Sequence, residues 1–203
     1  MMDIVVESVK KLEEMLEHSG CSDGGVLLDV DPDAVNCEFE EGACMTAVFG
    51  GKCGVFTTFD PIRARTRISF MFGAPLDTPS VRGAACAIIN VTTGFFCLVR
   101  VLRPCNKSAH TPCRKNLTEE IAGKTVSCLG PAAHIETING IALIPDHTQA
   151  DVILISGGGL IEETTGDIIM KYRKDKRIIC IGPSTIGISR MYELEHWCPF
   201  GCC

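Results

Sequence analysis

At 203 residues the chain is long enough to bury a substantial core, as one large domain or two small ones. A net charge of −6 and a pI near 5.4 argue against the basic face that nucleic-acid binding requires. The hydrophobic fraction of 46% and charged fraction of 22% are those of a folded globular protein, and no run of about 18 apolar residues free of charge offers a membrane span.

The amino terminus, MMDIVVESVKKLEEMLEHSG, is charged and helix-patterned rather than a signal peptide, so a cytoplasmic protein is expected. Thirteen cysteines are well above ordinary usage. Cytosolic thiols are held reduced, which leaves a disulfide framework as the weaker explanation. Two readings remain: cysteine as a small buried hydrophobe, or a subset of thiols acting as metal ligands. Cys86, Cys128 and Cys180 lie inside apolar runs and belong to the first class.

In chain order, Asp3 caps a predicted helix reaching about residue 18, with Val5, Val9, Leu12 and Leu16 as one apolar stripe. Residues 25–30 form a short apolar run ended by the turn cluster Asp31-Pro32-Asp33, and residues 35–41 alternate loosely. Residues 43–49 and 53–59 flank Gly50-Gly51-Lys52, which reads as a hairpin. A small antiparallel sheet is therefore expected in the first third. Arg63, Arg65 and Arg67 alternate, so in a strand they share one face, either as a solvated edge or as a row facing an anion. Thr78-Pro79 opens a buried helix of small residues running to about residue 96, with Asn90 in its middle. A buried amide needs partners, from a neighbouring loop or a ligand.

Pro104 and Pro112 make the second half of residues 97–113 a predicted loop. Cys105, His110 and Cys113 on that loop supply three soft donors for zinc or an iron centre, although no CxxC pair is present and inert thiols are the default. A short helix is expected over residues 117–121, then strands over 125–129 and 141–144. The turn Gly130-Pro131-Ala132-Ala133-His134 lacks GxGxxG, which disfavours a dinucleotide. Residues 152–155 and 178–181 are wholly apolar runs that each stop at a glycine turn, with a helical pattern between them, and so read as a buried parallel βαβ unit. Their turns, Ser156-Gly157-Gly158-Gly159 and Gly182-Pro183-Ser184-Thr185, fall at the carboxyl ends of strands, where open α/β sheets bind ligands. The chain closes on His196-Trp197-Cys198-Pro199-Phe200-Gly201-Cys202-Cys203, either a soft-metal clamp or a frayed tail.

The expected architecture is α/β: a small α+β domain with an antiparallel hairpin over residues 1–122, then a Rossmann-like parallel sheet over 123–203. In the second half, GKTVSCLGP, ADVILISGGGLIEETTGDII and RIICIGPST resemble the Rossmann-like heavy-metal-chelation domain family. The first half is similar to the enolase-amino-terminal-like domain that precedes it there, through MTAVFGGKCGVFTTF and VRGAACAIIN. The resemblance implies a cytosolic prokaryotic protein that binds its ligand between the two domains and handles metal. The Cys97–Cys113 segment and the cysteine-rich end depart from the family's pattern.

Two functions follow. In the first, the protein binds a transition metal such as zinc or iron, or a metallocofactor, through Cys105, His110, Cys113, Cys198, Cys202 and Cys203. In the second, an anionic small molecule sits on the amides of Gly157, Gly158, Gly159 and Gly182 and on Ser184, Thr185 and Asn90, with an arginine of the 63–67 row supplying charge. Tight turning after a strand would by itself also demand glycine at both turns. No GxSxG, HExxH or GKT/S motif marks a catalytic site. The expected partner is a small molecule or a metal, not nucleic acid or membrane, and a homo-oligomer is left open.

Overall fold

The computed structural model describes residues 2–132, 135 and 141–203. Helix α1 (Ile4–Leu16) starts where the Asp3 carboxylate accepts from the Val5 and Val6 amides, and it buries the expected stripe. Strands β1 (Gly25–Asp31), β2 (Ala43–Phe49), β3 (Lys52–Thr58) and β4 (Ala64–Arg67) form an antiparallel sheet in the order β3-β2-β1-β4. Phe49 pairs with Lys52 across the β2–β3 turn, and both loop residues, Gly50 and Gly51, take positive φ (55° and 78°). That backbone twists with the strands and excludes most side chains. Helix α2 (Pro79–Phe95), capped by the Thr78 hydroxyl, lies on this sheet. It comes so close at Gly54 that a Cβ there would stand 3.0 Å from the Val91 nitrogen.

The second half supplies β5 (Thr125–Leu129), β6 (Ala142–Leu143), β7 (Val152–Ile155), β8 (Arg177–Ile181) and β9 (Glu195–Trp197), all parallel, in the order β6-β5-β7-β8-β9. Between β7 and β8 run the one-turn α4 (Gly157–Leu160) and α5 (Thr165–Tyr172), and α6 (Ile186–Met191) leads into β9. The expected fold class holds, an antiparallel α+β part followed by a Rossmann-like sheet.

The parallel strands are apolar on both faces because both are covered. Leu129, Ile153, Ile155 and Cys180 join the main core, which also takes in α1, α2 and the antiparallel sheet. The alternate residues Val126, Val152, Leu154, Ile179 and Ile181 face a second core with Cys37, Phe39, Cys113 and Leu117. Arg82, 3% exposed, ties the main core together, with its Nη2 3.0 Å from Asp3 Oδ1 and further bonds to the Leu76 and Ile161 carbonyls. Cys86 and Cys180 are fully buried, as expected, and burial pushes both thiols up to about 12. Cys128 is half-buried.

Two elements differ from the expectation. The predicted loop through residues 105–113 becomes helical at His110, where α3 (His110–Glu120) begins. Pro112 sits in its first turn, where a missing N–H costs nothing because those donors have no partner within the helix. The carboxyl end is also no frayed tail, since β9 is a fifth parallel strand and the chain then turns back. There Leu102 N and Arg103 N donate to Cys202 O at 2.8 and 2.9 Å, and Cys202 N donates to Arg103 O at 3.1 Å. Leu102 O accepts in turn from Val55 N at 3.1 Å, so residues 99–103 strap the tail to β3. The strand expected over 141–144 is pared to β6, and Ala133 and His134 lie outside the described residues. No helix among the described residues is long and apolar enough to cross a membrane.

Candidate functional site

The turn after β8 is built around a carboxylate of the protein itself. Gly182 has φ +81°, and a Cβ there would strike the Glu40 side chain. Ser184 N donates to Glu40 Oε1 at 3.0 Å and Thr57 Oγ1 donates to Glu40 Oε2 at 2.9 Å. The Ser184 hydroxyl accepts from Thr57 N at 2.8 Å. Burial pushes the Glu40 carboxyl up to about 7, against the opposing pull of the Ser184 and Thr57 hydrogen bonds. Asn90 completes the anchor: its Nδ2 donates to Val55 O (2.9 Å) and Ser184 O (3.0 Å), and its Oδ1 accepts from Gly187 N (2.8 Å). Thr185 Oγ1 donates to Gly182 O at 2.9 Å. The polar groups of Ser184, Thr185 and Asn90 that were expected to face a ligand are thus engaged within the protein, where they lock the parallel sheet to β3 and α2.

The turn after β7 is similarly close-packed. A Cβ on Gly157 would stand 2.7 Å from Ser184 Cβ, one on Gly158 would stand 2.7 Å from the Pro131 ring, and one on Gly159 would collide with the Leu129 carbonyl. Ser156 Oγ accepts from Gly159 N at 3.3 Å. These glycines let the turns at the ends of β5, β7 and β8 touch. Arg63, Arg65 and Arg67 are exposed on the edge strand and its approach, and Arg63 reaches Asp29 at 2.9 Å. Glu162, beside the glycine turn, is raised by burial and lowered by His147.

The thiols tell a different story. Cys37 lies on the tight turn in which Glu40 N donates to Cys37 O at 3.1 Å. Cys113 is one turn into α3 on the second core, Cys105 is buried between the strap and α3, and Cys198 follows β9. Each lies close enough for charge on one to be felt by the next. Burial raises Cys198 most, followed by Glu40, Cys113 and Cys105. Burial and Glu40 raise Cys37, with Cys198 and Cys113 adding to them. Cys113 is pushed up to about 11 by burial and by Cys105, with the Trp197 indole pulling the other way. Cys105 is raised by burial, with Cys202 and Glu38 adding to it. All four are therefore neutral at pH 7.

His110 stands beside them on the first turn of α3. Its Nδ1 is 2.9 Å from Glu38 Oε2, and Arg114 Nη1 is 3.4 Å from the other Glu38 oxygen. His110 Nε2 is buried without a hydrogen-bond partner, and the buried Trp197 indole N–H is directed at the Cys113 thiol. As the side chains stand, no three His, Cys, Asp or Glu groups among the described residues converge on a point that would hold a metal ion.

Of the six expected soft donors, Cys105, His110, Cys113 and Cys198 are thus brought into one neighbourhood. Cys202 lies at its exposed rim, against the Pro104 carbonyl. Cys203 is turned away, its thiol on the Arg100 carbonyl oxygen, because the tail pairs with the strap in a register that points it there. Sequence reasoning missed Cys37 and Glu40. A loosely alternating stretch would set Glu40 opposite Phe39, and only the turn back at Cys37 carries the acid inside.

The fold has a solved counterpart. A protein of unknown function from the DUF364 family of Desulfitobacterium hafniense DCB-2 superposes with a TM-score of 0.50 at 15% identity, covering 89% of this chain and 83% of that one. Another DUF364 protein of unknown function, from Pyrococcus horikoshii, gives a TM-score of 0.43 at 15% identity over 89% of this chain and 79% of that one. No family profile and no curated protein matches the sequence.

Proposed function

We propose that this protein binds a soft or borderline metal ion, such as zinc or iron, through Cys37, Cys105, Cys113 and Cys198, with His110 as a further donor. The observation that carries the reading is that four thiols from three distant stretches of chain share one neighbourhood, near a buried imidazole nitrogen that has no partner. Buried polar atoms in folded proteins nearly always find a partner, so an orphaned donor or acceptor beside clustered thiols points to a ligand. Thiolates coordinate such ions at about 2.3 Å, and the thiols must swing together by side-chain rotation to reach that geometry. The raised thiols are protonated before the ion arrives. Binding therefore releases protons, and affinity falls as pH falls.

The test is metal content after purification without oxygen and without a metal-binding tag, for the wild type and for Cys113→Ser. Near-stoichiometric metal in the wild type and its loss in the variant, with unchanged circular dichroism, is the expected result. A colourless, metal-free wild type that takes up neither zinc nor iron on titration would sink the reading.

A further inference from the structure

The two edges of the antiparallel sheet are finished differently. At β3 the strap covers the edge, with Val55 N donating to Leu102 O. At the other end β4 pairs with β1 alone. Ile68 N donates to Gly24 O at 3.2 Å, and in an antiparallel ladder every second pair is bonded. Along that register the bonded pairs are Thr66 with Val26 and Ala64 with Leu28, so the peptide N–H and C=O groups of Arg65 and Arg67 point off the sheet. Apart from a 3.4 Å contact from the Thr66 hydroxyl to Arg67 O, nothing among the described residues bonds them.

The side chains of β4 divide by alternation. Arg65 and Arg67 stand on the outer face, across from Leu27 and Gly25. Arg67 makes only a long 3.9 Å contact to Asp23, and Arg65 has no ion-pair partner among the described residues. Ala64 and Thr66 face inward and line an apolar groove of about 150 Å³ between the edge and α2. Ile62, Phe70 and Val81 line it too, and Phe70, in the 3₁₀ turn Ile68–Met71 that follows β4, is 72% exposed. Charge alone would serve to guard an edge against aggregation. A guard has no use for an apolar groove and a bare aromatic ring along its inner side.

We propose that β4 is a docking edge for an extended segment of another protein, in which two acidic residues flank an apolar one. Added as a further strand, the segment exchanges backbone hydrogen bonds with Arg65 and Arg67. Residues directly opposite one another share a face. The two acids therefore meet the guanidinium groups, and the apolar side chain between them enters the groove beside Thr66. A second copy of this chain is the wrong occupant, because β4 paired with itself would set arginine against arginine. The inference is independent of the metal-binding reading.

The probe is a fluorescein-labelled, amidated peptide, Ser-Glu-Leu-Glu-Val-Glu-Ser, with fluorescence anisotropy at low salt as the readout. A second probe carries lysine in place of each glutamate, and a third is the glutamate probe N-methylated at the amides of its first two glutamates. The edge predicts that wild type binds the glutamate probe saturably and binds the N-methylated one far more weakly. Arg65→Glu/Arg67→Glu should bind the glutamate probe about tenfold more weakly or worse, and should gain affinity for the lysine probe, which only a folded edge can do. Phe70→Ser should weaken the glutamate probe with unchanged circular dichroism. Absence of saturable binding by wild type overturns the proposal, as does a charge reversal without effect. Equal binding of the N-methylated probe overturns it as well, by reducing the contact to charge attraction. A wild-type dimer in sedimentation that Phe70→Ser dissolves would make the occupant a second copy and overturn it too.

Discussion

The two polar neighbourhoods differ in how completely they are satisfied. Around Glu40 and the Gly182 turn, the carboxylate, both serine groups and the Asn90 amide all have partners within 3.0 Å, drawn from β3, α2 and the parallel sheet. Around Cys113, the buried His110 Nε2 has none. A saturated network has spent its capacity on holding the fold, whereas an unsaturated one retains capacity for something else. The glycine turns carried the stronger sequence signal and became the anchor, while four of the scattered cysteines gather into the candidate site.

The contrast can be broken from the anchor's side first. Asn90→Ala removes three buried hydrogen bonds and strands their backbone partners, so denaturant unfolding should show a loss of about 3 kcal/mol or more. Glu40 offers a pH test of nearly that size. Below about pH 4.5 it is protonated in both states. Between there and about pH 7 the unfolded chain ionises while the folded protein holds its proton, so this group's stabilising contribution is lost as pH rises through that window. Glu40→Gln should flatten that slope, which amounts to at most about 3 kcal/mol in the wild type. A slope unchanged in the variant would assign it to other groups.

On the thiol side the expected order is reversed, with small effects on stability and large ones on binding. Cys105→Ser/Cys113→Ser should unfold within about 1–2 kcal/mol of wild type when metal-free, because volume is nearly kept, yet should lose most bound metal. Metal occupancy equal to wild type would remove this segment from the ligand set. His110→Ala should cost the least, weakening metal retention against a chelator while leaving Glu38 paired with Arg114. Metal-free stability near wild type would then separate its binding role from a structural one.

Much of the frame was legible because its signals are local. The Asp3 cap with its stripe, the Gly50-Gly51 turn, Thr78-Pro79 and the apolar runs of β7 and β8 each act within a few residues. What failed was context-dependent. Pro112 reads as a breaker until it is known to occupy a first turn. β9 has three residues, Glu-His-Trp, with no apolar run, and only pairing with β8 makes it a strand. The site was half legible, for the thiols on one segment could be grouped by spacing, but the approach of Cys37 and Cys198 is purely tertiary. Nor could composition reveal that the Gly182 turn meets a carboxylate from the far half of the chain.

The position of Cys198 has a consequence for how the protein is made. During synthesis Cys37, Cys105 and Cys113 leave the ribosome well before β9 exists, so the nascent chain carries three of the thiols before the fourth can join them. Cys198 takes its place only when β9 has paired with β8, and the tail is fixed when Cys202 pairs with the strap. Assembly of the thiol neighbourhood is therefore a report on completion of the fold, since no chain halted before β9 brings all four together.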